Sequence, residues 1–437
     1  MNSCDTNNQE PKDSIQLKID KLRLLGKKVL AYESVIVYNQ QSTLPGMTDL
    51  VICIEKDNMD FVLTYIEGLD EFVSPGTRLI IKGNGRPNKL DLGGFLSFKH
   101  YLDYIVSVQV DIDTSLITNM SNMFAHMKNV REIEFKRFDT SNVKSLDYMF
   151  GNCKYLTHID LSKFDTSNVE TMNGMFYSCE HLTELDLHNL NLTKVKDMRD
   201  FLFGSRRLIS INMDGLDTPN LLYLGQAFSH LGSLKSLDLS SLDFRNLTHC
   251  WNIFQGCSNL ETIILPKHKL GIDNAEYITA LFMGCTKLKS VNLQGITGNK
   301  VQSLMALFYG CGEIESIDLS NFNPAEIIVL DKTFYKCAAL KVLDLRSLSL
   351  STLQTSESIF SLVRDITLIL KPTQAIERGT PVEFNGESYV DVTDILIEQG
   401  NKIRDTDKIE RSEFIMQSLL VRSAGVYKMR VLYPCKT

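Results

Sequence analysis

A phenylalanine recurs along this chain at nearly constant spacing. It stands at Phe98, Phe124, Phe150, Phe176, Phe203, Phe228, Phe254, Phe282, Phe308, Phe334 and Phe360, with steps of 25 to 28 residues and most of them 26. The stretch FDTSNV at Phe138–Val143 returns letter for letter at Phe164–Val169, again 26 residues on. By size alone a chain of 437 residues suggests about three ordinary domains. A fixed period overrides that expectation, because units this short cannot bury their apolar faces alone and must stack into one array.

Other columns follow the anchor. Three residues after it stand Cys153, Cys179, Cys257, Cys285, Cys311 and Cys337, and six after it Leu156, Leu182, Leu234, Leu260, Leu288 and Leu340. Next comes an alternating segment, read as LTHIDLS, LTELDLH, LKSLDLS, LKSVNLQ, IESIDLS and LKVLDLR. Period-two alternation predicts a strand with one buried face, and L-x-x-L-x-L is the core of a leucine-rich repeat. Before the anchor, Val143, Leu146, Met149 and Phe150 form a stripe that predicts a short helix, with Asp, Thr and Ser of DTS as its N-caps. The expected fold is an α/β repeat: a leucine-rich repeat solenoid of about 10–12 units. It would carry a parallel sheet on one face, short helices on the other, and caps at both ends.

The boundaries expected are a disordered tail at 1–14, an N-terminal cap with degenerate repeats at 15–97, the array at 98–370 and a C-terminal capping region at 371–437. In the N-terminal cap VLAYESVIVYN and LVICIEK read as strands and MDFVLTYIEGLDEFV as a helix, while KGNGRPNKLDLGG supplies turns. In the C-terminal cap Asn385-Gly386 marks a hairpin, IERSEFIMQSLLVR reads as a helix and VYKMRVLY as a last strand.

Composition narrows the classes. A formal charge of −7 gives no electrostatic footprint for nucleic acid. No apolar run reaches the ~18 residues of a membrane span. The first residues, MNSCDTNNQEPKDS, lack the basic start and apolar stretch of a secretory leader. That leaves three readings: a cytoplasmic protein, which is slightly favoured, one displayed by an unusual route, or one given without its leader.

The FDTSNV corner, the Met149-Phe150 and Met175-Phe176 pairs, the cysteine three on, and the LTxLDLS strand together resemble the BspA-like leucine-rich repeat proteins. The likeness is strongest from Phe124 to Phe254 and extends from Phe98 to Leu370. It implies a non-enzymatic scaffold of the kind seen in bacterial and protozoan surface proteins that bind host proteins or other cells. It brings no catalytic residues with it.

Candidate binding residues come from the outward strand positions: Glu132 and Glu134; His158 and Asp160; Glu184, Asp186 and His188; then Asp238. One column reads Glu134, Asp160, Asp186, Asn212, Asp238, Ile264, Asn292, Asp318, Asp344. Strands lie ~4.8 Å apart, so these carboxylates form a ladder able to receive a basic protein partner, or else a solvated consensus position bonding the corner. Trp251, the only tryptophan, stands in a polar column three before its anchor, and is either an interface anchor or packed over a neighbouring unit. The cysteines include no C-x-x-C pair and read as buried thiols. No metal or cofactor is expected, because neither phosphate-binding nor catalytic motifs appear. Asn119, Asn191 and Asn246 begin glycosylation-type triplets that read as by-products of the repeated corner. The competing class is an effector or enzyme acting through a terminal region, or a cytoplasmic adaptor, and a cleft lined by titratable side chains would mark the first.

Overall fold

The computed structural model describes residues 10–25, 27–32, 34–93, 100–266, 272, 274–275, 278–293, 298, 300–319, 322, 324, 327–372, 379–402, 417, 420 and 428–435. The chain divides into two compact units, Met1–Asn191 and Leu192–Thr437.

The first unit opens with helix α1, Glu10–Leu24, which takes in Glu10–Ser14 of the stretch the sequence assigns to a tail. Pro11 sits in its first turn, where a missing N–H costs nothing, and Lys21 and Arg23 in its last turn face the negative end of the helix dipole. Strands β1 (Val29–Tyr32), β2 (Val35–Gln41) and β3 (Thr48–Ile54) follow and pair antiparallel. These are the strands the sequence predicts. The segment Met59–Val73 is not the predicted helix. It holds strand β4 (Asp60–Val62) and two 3-10 turns, Leu63–Tyr65 and Leu69–Phe72, divided by Gly68 at φ +70°. Its apolar residues Phe61, Leu63, Leu69 and Phe72 are buried all the same, so a helical stripe and a turn-rich coil bury the same letters.

Next come β5 (Thr77–Lys82), β6 (Lys89–Asp91), β7 (Ile105–Asp111) and β8 (Glu132–Phe135). The main sheet runs β1-β2-β3-β5-β7-β8 and is parallel from β3 onward; β4 and β6 form a small parallel pair. Pairing register sets which side chains share a face. Glu134 pairs with Gln109, Gln109 with Ile80, Ile80 with Val51 and Val51 with Tyr38. The outward face is therefore polar on β7 and β8 and apolar at its centre on β2, β3 and β5, where Ile80 stands between Arg78 and Lys82. Helix α1 covers the apolar part, with Ile15, Ile19 and Leu22 against Ile36, Tyr38, Val51 and Ile80. A last strand of this unit, β9 (Glu184–Asp186), alternates exposed and buried residues. The equivalent residues His158–Leu161 show the same alternation without forming a regular strand.

The predicted short helices are absent from the described part of the array, and turns take their place. Between Leu146 and Cys153, alternate amides do two different jobs. Those of Leu146, Tyr148, Phe150 and Asn152 donate to the carbonyls of Thr171, Asn173, Met175 and Tyr177 in the following coil. Those of Met149, Gly151 and Cys153 donate three residues back, to Leu146, Tyr148 and Phe150. This satisfies every second backbone group between coils, as in a parallel sheet, and the rest within the coil. It requires left-handed residues, found at Tyr148 (φ 51°) and Asn152 (φ 61°). Ser145 bridges both Asn119 and Thr171 in parallel, which marks this as a second ladder. The anchors pile inside it: Phe124 on Phe150 at 5.5 Å and Phe150 on Phe176 at 5.3 Å between ring centroids.

The second unit repeats this coil. Its strands are β10 (Ser210–Asn212), β11 (Ser236–Asp238), β12 (Thr262–Ile264), β13 (Ser290–Asn292), β14 (Ser316–Asp318) and β15 (Val342–Asp344). β11 pairs with β12 and β13 with β14, both parallel and in register. Phe228, Phe254, Phe282, Phe308, Phe334 and Phe360 stack in one column at 5.3–6.0 Å. Register near the start of the unit differs from the sequence reading. The residue in the anchor column is Leu202, whose amide donates to Ala227 just as Phe228 donates to Ile253. Leu202 is fully buried, whereas Phe203 is half-buried with its ring edge-on to His230. Placing Leu202 in the column turns the apparent steps of 27 and 25 into two steps of 26. Phe98, another anchor, lies outside the described residues.

A five-stranded sheet closes this unit in the order β15-β16-β19-β18-β17, with β16 at Asp365–Ile369, β17 at Thr380–Phe384, β18 at Glu387–Asp391 and β19 at Lys428–Pro434. The β17–β18 hairpin turns at Asn385 (φ 51°) and Gly386 (φ 81°), as Asn-Gly predicts for a two-residue loop. Strand β19 is the last strand read from VYKMRVLY. Helix α2, Thr393–Lys402, is not read from the sequence; the helix expected over 409–422 falls outside the described residues except for Gln417 and Leu420.

Candidate interaction surface

Each letter of FDTSNV has a position that explains it. Phe138 and Phe164 are buried and their rings meet at 5.5 Å. The Asp139 carboxylate accepts the Ser141 amide at 2.8 Å, and Asp165 accepts Ser167 at 2.9 Å. These are Asx turns, so the aspartates hold turns and cap no helix. The Thr140 hydroxyl, 1 % exposed, donates to the Asp165 carbonyl of the next coil at 2.9 Å. Asn168 reaches back to the Ser141 carbonyl at 2.7 Å, and Val143 and Val169 are fully buried. The repeated object is a building unit that bonds forward through Thr and backward through Asn.

The strand-face column has a similar constraint. Asp160 accepts the Ser162 amide at 2.9 Å, Asp238 accepts Ser240 at 2.9 Å, and Asn212 accepts Asp214 at 3.1 Å. Asp344 accepts the Arg346 amide at 3.0 Å and takes its guanidinium as well. Asp186 accepts the His188 amide at 3.3 Å and its ring nitrogen at 2.7 Å. The Ser162 hydroxyl, then its amide, hold the Asp160 carboxyl below the usual range. The aspartate is thus a corner residue first.

All nine sequence candidates are exposed: Glu132, Glu134, His158, Asp160, Glu184, Asp186 and His188 in the first unit, Asp238 and Trp251 in the second. The structure brings four of them together. Glu132, Glu134, His158 and Asp160 line a concavity of about 560 Å³ with Arg78, Ser107, Gln109, Lys136 and Lys163. Sequence reasoning missed these five neighbours, because the register of β5 and β7 against β8 is not visible in a degenerate cap. The concavity carries three cations against three carboxylates, but each cation is already engaged. Arg78 clamps Asp49 at 2.8 Å, Lys136 lies 3.7 Å from Glu134, and Lys163 donates to the Phe135 carbonyl at 2.8 Å. Exposed Glu132 on β8 lines the same concavity as Asp160 and acts on Arg78 from beyond ion-pair distance.

Trp251 packs over the preceding coil. A Cβ added at Gly225 would meet its indole at 2.9 Å, and the ring remains 37 % exposed. The six cysteines of the column are buried, and each thiol donates to the carbonyl of an earlier anchor, as Cys153 does to Phe124 at 3.1 Å and Cys257 to Phe228 at 3.0 Å. Burial pushes the Cys153 and Cys257 thiols up to about 12. Among the described residues no group of three or more His, Cys, Asp or Glu could hold a metal ion. No helix among them is long and apolar enough to cross a membrane. An apolar cavity of about 30 Å³ beside Cys250, Phe254 and Phe322 has room for roughly one water and is part of the core.

Residues 252–377 match, in six copies, the family described as a BspA type leucine-rich repeat region. The chain carries a BspA-type leucine-rich repeat region. A second match, over residues 98–215 and 182–292, is to a family described as a Mycoplasma protein of unknown function, DUF285. No curated protein matches the chain. Among solved structures, this BspA-like protein is similar to the pneumococcal vaccine antigen PcpA, at 12% identity and a TM-score of 0.34, over 78% of this chain and 81% of that one. It is also similar to a leucine-rich repeat protein from Eubacterium ventriosum, at 14% identity and a TM-score of 0.32, over 71% and 89%.

Proposed function

We propose that this BspA-like protein is a non-enzymatic recognition scaffold whose outward strand face binds a protein partner, in an adhesin-like role. The observation that carries the reading is the concavity over β7, β8 and His158–Asp160. It is broad, it is held by a hydrogen-bonded stack, and two of its three cations are already paired. A rigid surface binds without paying for loop ordering, which favours affinity. Arg78 and Lys136 are paired with Asp49 and Glu134, and the exposed carboxylates Glu132, Asp160, Glu184 and Asp186 outnumber the one remaining cation, Lys163. A basic protein surface complements this excess, and electrostatic complementarity raises association rate and selectivity.

The test is photo-crosslinking from a probe residue at His158 on intact cells, with and without external protease. A discrete crosslinked protein, lost in a Glu132→Gln/Asp160→Asn/Glu184→Gln/Asp186→Asn variant of unchanged melting temperature, supports the reading. Loss of the protein to external protease supports the adhesin-like role, and protection moves the partner search inside the cell. Equal crosslinking by the neutralised variant overturns the reading.

A further inference from the structure

The outward face of the first unit carries a second concavity, set apart by α1. The helix covers the apolar end of the sheet but stops short of the edge of β5 and β7. Between them lies a cleft of about 390 Å³ lined by Lys18, Lys21, Leu22 and Leu25 of the helix region and Ile36, Tyr38, Cys53, Glu55, Lys82, Asp111 and Arg137 of the sheet side. Its size falls within the range of small-molecule sites. Its two sides differ. Leu22, Leu25 and Ile36 make one apolar wall, while Tyr38, Cys53 and Lys82 converge at the floor.

The far rim is built rigidly. Gly83 packs so closely on β3 that a Cβ there would stand 1.8 Å from the Ile54 carbonyl oxygen, and one at Gly85 would stand 2.4 Å from that of Lys56. The Gly85 amide donates to Ile54 at 3.0 Å, and Arg137 donates to the Gly83 carbonyl at 3.0 Å. The glycine-rich KGNGRPNKLDLGG stretch therefore does more than turn the chain: its first glycines seal one side of the cleft.

Charge accounting then selects the ligand. Lys18 is paired with Glu55 at 2.7 Å, and Arg137 with Asp111 at 2.7 Å. Lys21 and Lys82 have no carboxylate within ion-pair distance among the described residues. Lys82 is half-buried, bonds the Tyr38 hydroxyl and lies 5.8 Å from the Tyr38 ring centre. Asp111 acts on it from beyond ion-pair distance and is itself paired with Arg137, so this half-buried ammonium, at the bottom of a partly apolar cleft, lacks a close negative partner.

We infer that this cleft binds a small organic monoanion, a carboxylate on an apolar body, with the carboxylate on Lys82 and the body against Leu22, Leu25 and Ile36. A phosphate suits it less. The one guanidinium in the lining is already spent on Asp111, which leaves no free bidentate donor for a phosphate among the described lining residues.

The experiment uses the full chain and naphthalene-2-acetate as probe, titrated by calorimetry at low salt beside its neutral amide and naphthalene-2-methylamine. The carboxylate is expected to bind about tenfold or more tighter than the amide, and the amine not at all. Lys82→Gln is expected to abolish that preference, so that the carboxylate binds no tighter than the amide. Leu25→Glu, at a side chain 67% exposed and so without consequence for folding, weakens carboxylate and amide alike and the carboxylate more. Equal binding of the three probes, no binding at millimolar concentration, or a preference that survives Lys82→Gln overturns the inference.

Discussion

The hydroxyl of Thr114 donates to the carbonyl of Asp139 at 2.7 Å and accepts the amide of that same residue at 2.8 Å, so one side chain closes both backbone groups of a residue 25 positions away. Thr166 does the same for Asn191, at 2.9 and 2.7 Å. Both threonines are essentially inaccessible. Thr166→Val keeps the shape and removes the hydroxyl that bonds the Asn191 carbonyl and amide. The cost expected is about 1–3 kcal/mol, the worth of two such hydrogen bonds at a part-buried site. Thr166→Ser should recover most of it. Denaturant midpoints of the two variants check this, and a valine variant as stable as the serine one would remove the threonine from the coil-to-coil bonding.

The strand-face aspartates combine a corner bond with an outward charge, and the two are separable. Asn212 already fills the same column and accepts its amide at 3.1 Å. Asp160→Asn and Asp186→Asn should therefore leave stability within about 0.5 kcal/mol, since the bonding oxygen is kept. Asp160→Ala and Asp186→Ala should each cost about 1 kcal/mol through the lost turn bond. Melting temperatures of the four variants decide the point, and they also show which variants are clean tools for partner binding.

The sequence carries this surface only partly, and the reason is physical. Period-two alternation names exposed and buried residues whether or not a ladder forms, which is why Glu132 through His188 fall on the outward face as read. The helix reading fails for a related reason. Val143, Leu146, Met149 and Phe150 are all buried, but a helix and a chain of turns can bury the same spacing. What distinguishes them is the left-handed backbone at Tyr148 and Asn152, and only the recurring glycines at Gly174, Gly256, Gly284 and Gly310 hint at it. Leu202 was hidden by Phe203 beside it, because an aromatic draws the register to itself. The concavity over β8 and the cleft beside α1 depend on strand register within a cap of weak periodicity, and no local pattern fixes that.

Acid should loosen the corners. The Ser167 hydroxyl and then its amide hold the Asp165 carboxyl below its ordinary value, and Ser115 acts in the same way on Asp113. A depressed carboxylate contributes stability in full above its unfolded value near 4, and that contribution is lost as pH falls through the folded value. Melting temperature should be flat from pH 7 to about 5 and fall below about 4. Asp113→Asn/Asp165→Asn should shallow the fall. A variant with an unchanged acid limb would place the acid-sensitive groups elsewhere.

The cysteine column should be chemically silent while the fold holds. Its thiols are buried, bonded to backbone carbonyls and held in the protonated form by burial, whereas the thiolate is the reacting species. Cys435 is partly exposed. Maleimide labelling followed by peptide mass spectrometry should mark Cys435 within minutes. Cys153, Cys179, Cys257, Cys285, Cys311 and Cys337 should be marked only at the rate of unfolding, and together in denaturant. Fast labelling of any one column member in native protein would show that coil opening independently of its neighbours.

Trp251 offers a built-in reporter of coil stacking. Its indole lies over Gly225, where an added methyl would stand 2.9 Å from the ring. The clash is with a side chain that can swing outward, so Gly225→Ala should cost no more than about 1 kcal/mol. It should still move the ring toward water, because the added methyl takes the place where the indole now lies. The expected reading is a red shift of the single tryptophan's emission and stronger quenching by acrylamide, with the melting temperature lowered by a few degrees at most. If emission stays put while stability drops steeply, the ring is fixed and the coils themselves have moved apart.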